Sequence, residues 1–281
     1  MQQRNRREGT PDETERLLRS APELAAPAID WRHWLLFAIA IAACVFALST
    51  ERIAQDPAYH TFADQVSLWR IPNALNVLSN VPFLLVGLFG LVRVAVWREH
   101  PQRRAFACFS CGVALIAAGS AYYHVRPSTD TLVWDRLPIT VTFMALFCAV
   151  IEDRVSPKYG RRMLVPAVFT GLVAVSFWYV TELRGVGDLR AYAVVQFLPM
   201  LLLPGVLLLF RVGGLRGGPL WGALLLYAVA KLAEHFDSQI LVVSGGLSGH
   251  SLKHLLAALA VLLALFSVAS PEPSPRATLV A

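Results

Sequence analysis

Apolar residues in this chain do not alternate, nor do they recur in short amphipathic periods. They gather into runs of about 18 residues or more, separated by short polar segments. At 1.5 Å per residue, a helix of that length crosses the hydrocarbon core of a bilayer. Eight such runs lie near residues 32–50, 74–96, 106–125, 133–151, 163–181, 191–210, 219–241 and 251–268. The pattern predicts an all-α fold, a polytopic transmembrane helical bundle, and gives no sign of a second folded domain. Residues 1–30 are polar, arginine-rich and aperiodic, which predicts a disordered tail. The first apolar run starts too far from Met1 for an ordinary cleaved signal peptide and reads as a signal-anchor helix.

Composition agrees with this reading. Of 281 residues, 56% are hydrophobic and only 16% charged, against about a quarter charged in soluble domains. The net charge of +6 does not point to nucleic acid, because no basic patch is interleaved with aromatics in a polar segment. The cations flank the apolar runs, where they set topology. With the N-terminus inside, 17 of the 25 Lys and Arg fall on inner segments and six on outer ones, while Lys231 and Lys253 lie within spans. That asymmetry predicts cytoplasmic termini. The four cysteines, Cys44, Cys108, Cys111 and Cys148, all sit in apolar runs and read as buried small hydrophobes. One CxxC pair inside a helix is weak support for zinc or redox chemistry.

Polar side chains inside a bilayer are costly, so their positions carry information. Ser120 and His124 share a face at the end of the third run, and Asp135 opens the fourth. Taken singly, these are a packing histidine and a helix cap. His250 and His254 change the balance. They lie one turn apart at the start of the last run, a chelating geometry that suits zinc. The charge-derived topology brings His124, Asp135, His250 and His254 to one depth near the outer face. Asn73, Asn76 and Asn80, with Ser79, start the second run at the same level. They read equally well as interhelical hydrogen-bond donors or as site residues. Lys231, Glu234 and Asp237 follow at three-residue steps. The first two suit a buried ion pair, and Asp237 suits orientation of a ligand histidine through its second ring nitrogen. The loop VVSGGLSG at 242–249 could act as a mobile flap or simply as a turn.

Three histidines with an open position describe catalytic rather than structural zinc. Such a metal brings the pKa of water towards neutrality. Asp135 is placed to accept and return a proton, and Ser120 to donate to an oxyanion. The expected reaction is hydrolysis of an amide or ester in a lipid entering from the bilayer.

SxxxH at 120–124, Asp135 eleven residues later and a distal HxxxH at 250–254 together resemble the alkaline ceramidase family. That family belongs to a superfamily of seven-helix membrane hydrolases and receptors that includes the adiponectin-type receptors. The resemblance runs from NALNVLSN at Asn73, through GSAYYH and WDRLP, to GHSLKH at His254. It implies zinc on His124, His250 and His254, Asp135 as acid and base, Ser120 assisting the carbonyl, and cleavage of a ceramide-like membrane lipid to a fatty acid and a sphingoid base. It also implies a seven-helix core at 73–270, preceded by an additional helix and outer loop at 31–72 and flanked by tails at 1–30 and 271–281. Three positions depart from the family. Asn73 stands where an acidic residue contributes to calcium binding, Arg136 where an acid follows the aspartate, and Lys253 where a tryptophan precedes the last histidine. The resemblance therefore does not carry over a calcium site, or ceramide as the particular substrate. A receptor-like or lipid-binding member with structural zinc, and an ion-coupled transporter built on Lys231, Glu234 and Asp237, are the alternatives. No obligate protein partner is expected, and the Ala/Arg/Leu-rich composition points to a bacterial plasma membrane.

Overall fold

In a computed structural model of the chain, the described residues are 29–97 and 99–269. The tails expected at 1–30 and 271–281 lie outside them, apart from Ile29 and Asp30. Among the described residues the helices are α1 (Trp31–Ser49), α2 (Ala74–Leu78), α3 (Val81–Val96), α4 (Arg103–Val125), α5 (Thr129–Arg154), α6 (Pro157–Leu183), α7 (Arg190–Leu209), α8 (Gly217–His235), α9 (Asp237–Ser244) and α10 (Gly249–Phe266), with a 3₁₀ turn at Pro57–His60. There is no strand among them, only one isolated bridge between Leu68 and Ile71.

Among the described residues, seven helices are long and apolar enough to cross a membrane, with α2 and α3 counted as one span. The protein is a multi-pass membrane protein with an all-α architecture. The remaining expected span, α8, falls below that level because Lys231, Glu234 and His235 dilute its C-terminal half. It is nonetheless an integral part of the bundle, packed along α10.

Three boundaries differ from the sequence expectation, each for a local reason. The second run is not one helix but α2 and α3, broken at Ser79–Asn80. Pro82 has no N–H to give to the carbonyl of Leu78, so the ladder cannot run through. The fourth run starts at Thr129 rather than 133. Ser128 Oγ accepts from Thr131 N at 3.2 Å, and the Thr131 hydroxyl accepts from Ser128 N at 3.1 Å, a reciprocal cap. Asp135 is therefore in the second turn of α5, not its cap. The seventh run breaks at Phe236 into α8 and α9, ending at Gly245 in the left-handed region (φ 69°).

The main packing runs α3 on α4, α4 on α5, α5 on α6, and α8 on α10, with α1 laid against α7. By contrast α7 and α8 barely touch. The buried core of Phe106, Phe109, Val113, Val150, Val206 and Leu265 occupies the half of the bundle away from His124. Of the cysteines only Cys148 is buried, and Cys111 is exposed on the outer surface of α4, contrary to the expectation that all four are buried. The reason is orientation: α4 turns Gly112, not Cys111, towards α5, where a Cβ would meet Thr142.

Candidate metal centre

His124 ends α4, and α10 begins just before His250. A glycine beside each end allows a close helix approach, of α4 to α5 and of α10 to α8. At Gly119 an added Cβ would stand 2.0 Å from the Trp134 carbonyl oxygen of α5, and at Gly249 it would stand 2.1 Å from the Ala233 carbonyl oxygen of α8. The three imidazoles of His124, His250 and His254 then form a near-equilateral triangle, with ring centroids 4.8, 4.9 and 5.0 Å apart. One nitrogen from each lies within 4.8 Å of the others, and all three rings are buried.

The surroundings fit a cation held by neutral imidazoles. Ser79 Oγ lies 2.7 Å from His254 Nδ1 and donates its proton to the Asn76 carbonyl at 3.0 Å. The hydroxyl has one proton, so towards the ring it acts as acceptor. That makes His254 the Nδ1–H tautomer and leaves the lone pair of Nε2 free for a metal. His124 Nδ1 is buried without any hydrogen-bond partner. An unpaired polar atom at that depth is costly unless something electropositive meets it. Three imidazole donors suit zinc.

Asp237 lies beside this cluster, but it does not orient a ring nitrogen. Its carboxylate accepts from His250 N at 2.7 Å and from Ala63 N at 3.0 Å, so it holds backbone. It thus fixes the first turn of α10, together with Ser248, whose Oγ accepts from Ser251 N. The asparagines also work on the scaffold. Asn73, in the left-handed region at φ 49°, donates to the His124 carbonyl at 2.9 Å. Asn76 Oδ1 accepts from Ser248 and Ser251 of α10, at 3.3 and 2.7 Å. Asn80 Nδ2 donates to the Asn76 carbonyl at 2.8 Å. With the helix broken at Ser79, these residues are not one continuous face.

Lys231 and Glu234 do form an ion pair, but it is half-buried rather than buried, and larger than expected. Lys253 joins it, with Nζ 2.8 Å from Glu234 and 3.0 Å from His250 Nε2. One carboxylate bridging two ammonium groups is better compensated than an isolated buried pair.

Asp135 and Ser120 both line a cavity of about 370 Å³. His254, Lys253 and Arg136 line the same end, while Leu207, Leu220 and Ala264 line the far end. The structure thus brings Ser120, His124, Asp135, His250 and His254 to one end of the bundle, as the sequence spacing suggests.

Two features were not visible in the sequence. The first is the cover. The glycine-rich segment at 242–249 is not over the histidines: it finishes α9 and turns into α10, with Val242 and Val243 exposed. The cover is instead Phe62, 5% exposed, whose ring packs edge-on against His124 at 4.6 Å and His250 at 4.8 Å. The second is Asp64, which is buried and accepts from Val66 N, Leu75 N and Asn76 N at 3.0–3.1 Å. It ties the covering loop to the start of α2, and so to Ser79. Its only sequence signal is an acidic residue shortly before a helix start.

The protein is thus a multi-pass helical membrane protein that gathers three buried histidines, a carboxylate and a serine at one end of a largely apolar cavity. Residues 64–204 match the family model described as Ceramidase, and the chain belongs to that family of hydrolases. The match begins at Asp64, the residue that caps α2, and includes Ser120, His124 and Asp135. His250 and His254 lie beyond it, so their place in the site rests on the geometry. No curated protein sequence matches the chain.

Proposed function

We propose that this protein is a zinc-dependent hydrolase that works inside the membrane and cleaves the amide bond of ceramide or a related acyl-amide lipid, giving a fatty acid and an amine. The observation that carries the reading is the shared position of Asp135, Ser120 and His254 at the polar end of an otherwise apolar cavity. An acyl chain fits the apolar length, and its carbonyl then falls beside the three polar groups.

His124, His250 and His254 would hold the metal, which when bound supplies a Lewis acid for the carbonyl and a more acidic water. Asp135 takes the proton from the attacking water and returns it to the departing nitrogen. Ser120, on the cavity wall with Asp135, donates to the carbonyl oxygen as charge develops on it. Phe62 keeps bulk water off the histidines, which strengthens each of these interactions. Sparse contact between α7 and α8, both of which line the cavity, offers lipid a lateral way in. The positive charge pattern supports cytoplasmic termini and a site near the outer face, and the family match supports a seven-helix core at 73–270 with α1 as an addition to it.

The test is release of fatty acid from a panel of acyl-amide and acyl-ester lipids by metal-loaded protein. Wild type should release fatty acid from at least one amide lipid, and Asp135→Asn should lower that rate by about 10²–10⁴-fold while keeping its zinc. No release from any lipid by a zinc-loaded sample would overturn the hydrolase reading in favour of a receptor-like role.

A further inference from the structure

Arg136 follows Asp135 on α5 and is 5% exposed, yet among the described residues no carboxylate oxygen comes within 4.0 Å of its guanidinium. Nη2 donates to Gln55 Oε1 at 2.7 Å, while Nη1 is buried with no partner. The group sits among three aromatic rings, 4.1 Å from the Trp178 centroid, 4.6 Å from that of Tyr192 and 5.7 Å from that of Tyr59. Ring faces hold a cation in place but do not neutralise it. A buried, permanently charged guanidinium with free N–H groups is costly unless an anion completes it.

Asp135 is a poor candidate for that anion. Adjacent residues on a helix point about 100° apart, and its carboxylate does not come within 4.0 Å of the guanidinium. Glu182, which shares Gln55 and Trp178 as neighbours with Arg136, accepts instead from Gln55 N at 2.6 Å and Trp178 Nε1 at 3.1 Å. What Arg136 does face is the cavity, which it lines together with Asp135. It does so beside Ile53, Tyr59 and Leu189 of the end loops, opposite the apolar far end. A substrate with its acyl chain along the apolar length and its amide at Asp135 would present the amine portion to Arg136.

Resting on the hydrolase reading above, we propose that Arg136 binds a carboxylate on the amine portion of the substrate, so that this protein acts on N-acyl amino acids in preference to neutral acyl amides. Hydrolysis then adds water across the amide, and gives a fatty acid and a free amino acid.

The experiment compares N-palmitoylglycine with N-palmitoylglycinamide, which differ only in the charge at that position, in a neutral detergent. Binding is measured in the Asp135→Asn background to prevent turnover, and fatty acid release is measured on wild type. N-palmitoylglycine should bind about tenfold tighter or more, as expected for a charge-assisted bidentate contact, and Arg136→Gln should bring the two lipids to within about twofold. Arg136→Lys should retain part of the preference. Equal binding of the two lipids, or a preference that survives Arg136→Gln, overturns the proposal. So does palmitic acid binding as tightly as N-palmitoylglycine with the same dependence on Arg136, because the contact would then serve the product. If Arg136→Gln does not fold, the ratio in the Asp135→Asn background and its change in Arg136→Lys decide. Preferential binding without any release from wild type would sink the hydrolase reading alone. Release without discrimination would sink the role of Arg136 alone.

Discussion

Ser79 Oγ lies 2.7 Å from Nδ1 of His254, and its own proton is given to the Asn76 carbonyl. The serine sits in the break between two helices and the histidine one turn into α10, 175 positions further along the chain. Their contact decides which nitrogen of His254 faces the other two imidazoles. Ser79→Ala should therefore weaken zinc binding by about 10–100-fold without unfolding the protein, and Ser79→Thr should restore most of it. Competition titration against a chromogenic chelator checks this, and an unchanged affinity in the alanine variant would refute the tautomer assignment.

Metal removal gives a second expectation. Purified protein should hold about one zinc, and chelation should lower the thermal midpoint because the folded state alone presents the three imidazoles together. Added zinc should raise the midpoint again in wild type, with no response when all three histidines are alanine. Normal zinc content in the triple variant would remove the centre from His124, His250 and His254.

Asp64→Ala should loosen the cover. It leaves the amides of Leu75 and Asn76 without their acceptor at a buried helix start, a loss of about 1–3 kcal/mol for a buried donor. Thermal unfolding in detergent should show that loss, and protease cleavage within 57–72 should speed up. Asp64→Asn, which keeps one acceptor oxygen, should fall between the two.

Gly119→Leu tests the approach of α4 to α5. Its Cβ has no space beside the Trp134 carbonyl, and backbone cannot yield as a flexible side chain would. Separating the helices there should cost about 1–3 kcal/mol and carry Ser120 away from Asp135. Activity should fall more than zinc content, because His124 has the His124 carbonyl–Asn73 contact to hold it.

His60, in the covering loop outside the spans, supplies a pH dependence. Burial, with Arg136 nearby, holds its imidazole below the ordinary range. The neutral ring meets the Tyr123 hydroxyl at 3.0 Å and the Thr129 hydroxyl at 3.3 Å. A depressed folded pKa means that the unfolded state binds the proton more readily. The contribution is thus fully present above about pH 6.5, the unfolded value, and declines as pH falls below it. The gap in thermal midpoint between wild type and His60→Gln should be larger at pH 7.5 than at pH 5.5. A gap independent of pH would refute this role for His60.

The sequence alone determined the architecture, because a bilayer imposes a length and a polarity on each crossing segment that no tertiary contact can replace. It also determined which residues are chemically able to form the centre. A histidine pair four residues apart shares a helix face by backbone geometry alone, and polar groups in apolar runs are too costly to be incidental. Where the helices break was partly legible, through Pro82 and the Ser128–Thr131 cap, but capping was easy to misread: Asp135, read as opening its helix, lies six residues past the start at Thr129. The tertiary structure decided what surrounds the centre. The choice of Phe62 as cover and of Asp64 as its tie depends on an irregular loop, and Ser79 partners His254 from 175 positions away, so no local period marks any of them. Arg136 stood out in the sequence only as a charge beside Asp135, and the arrangement of Gln55, Trp178 and Tyr192 around it is what leaves a buried cation open to the cavity.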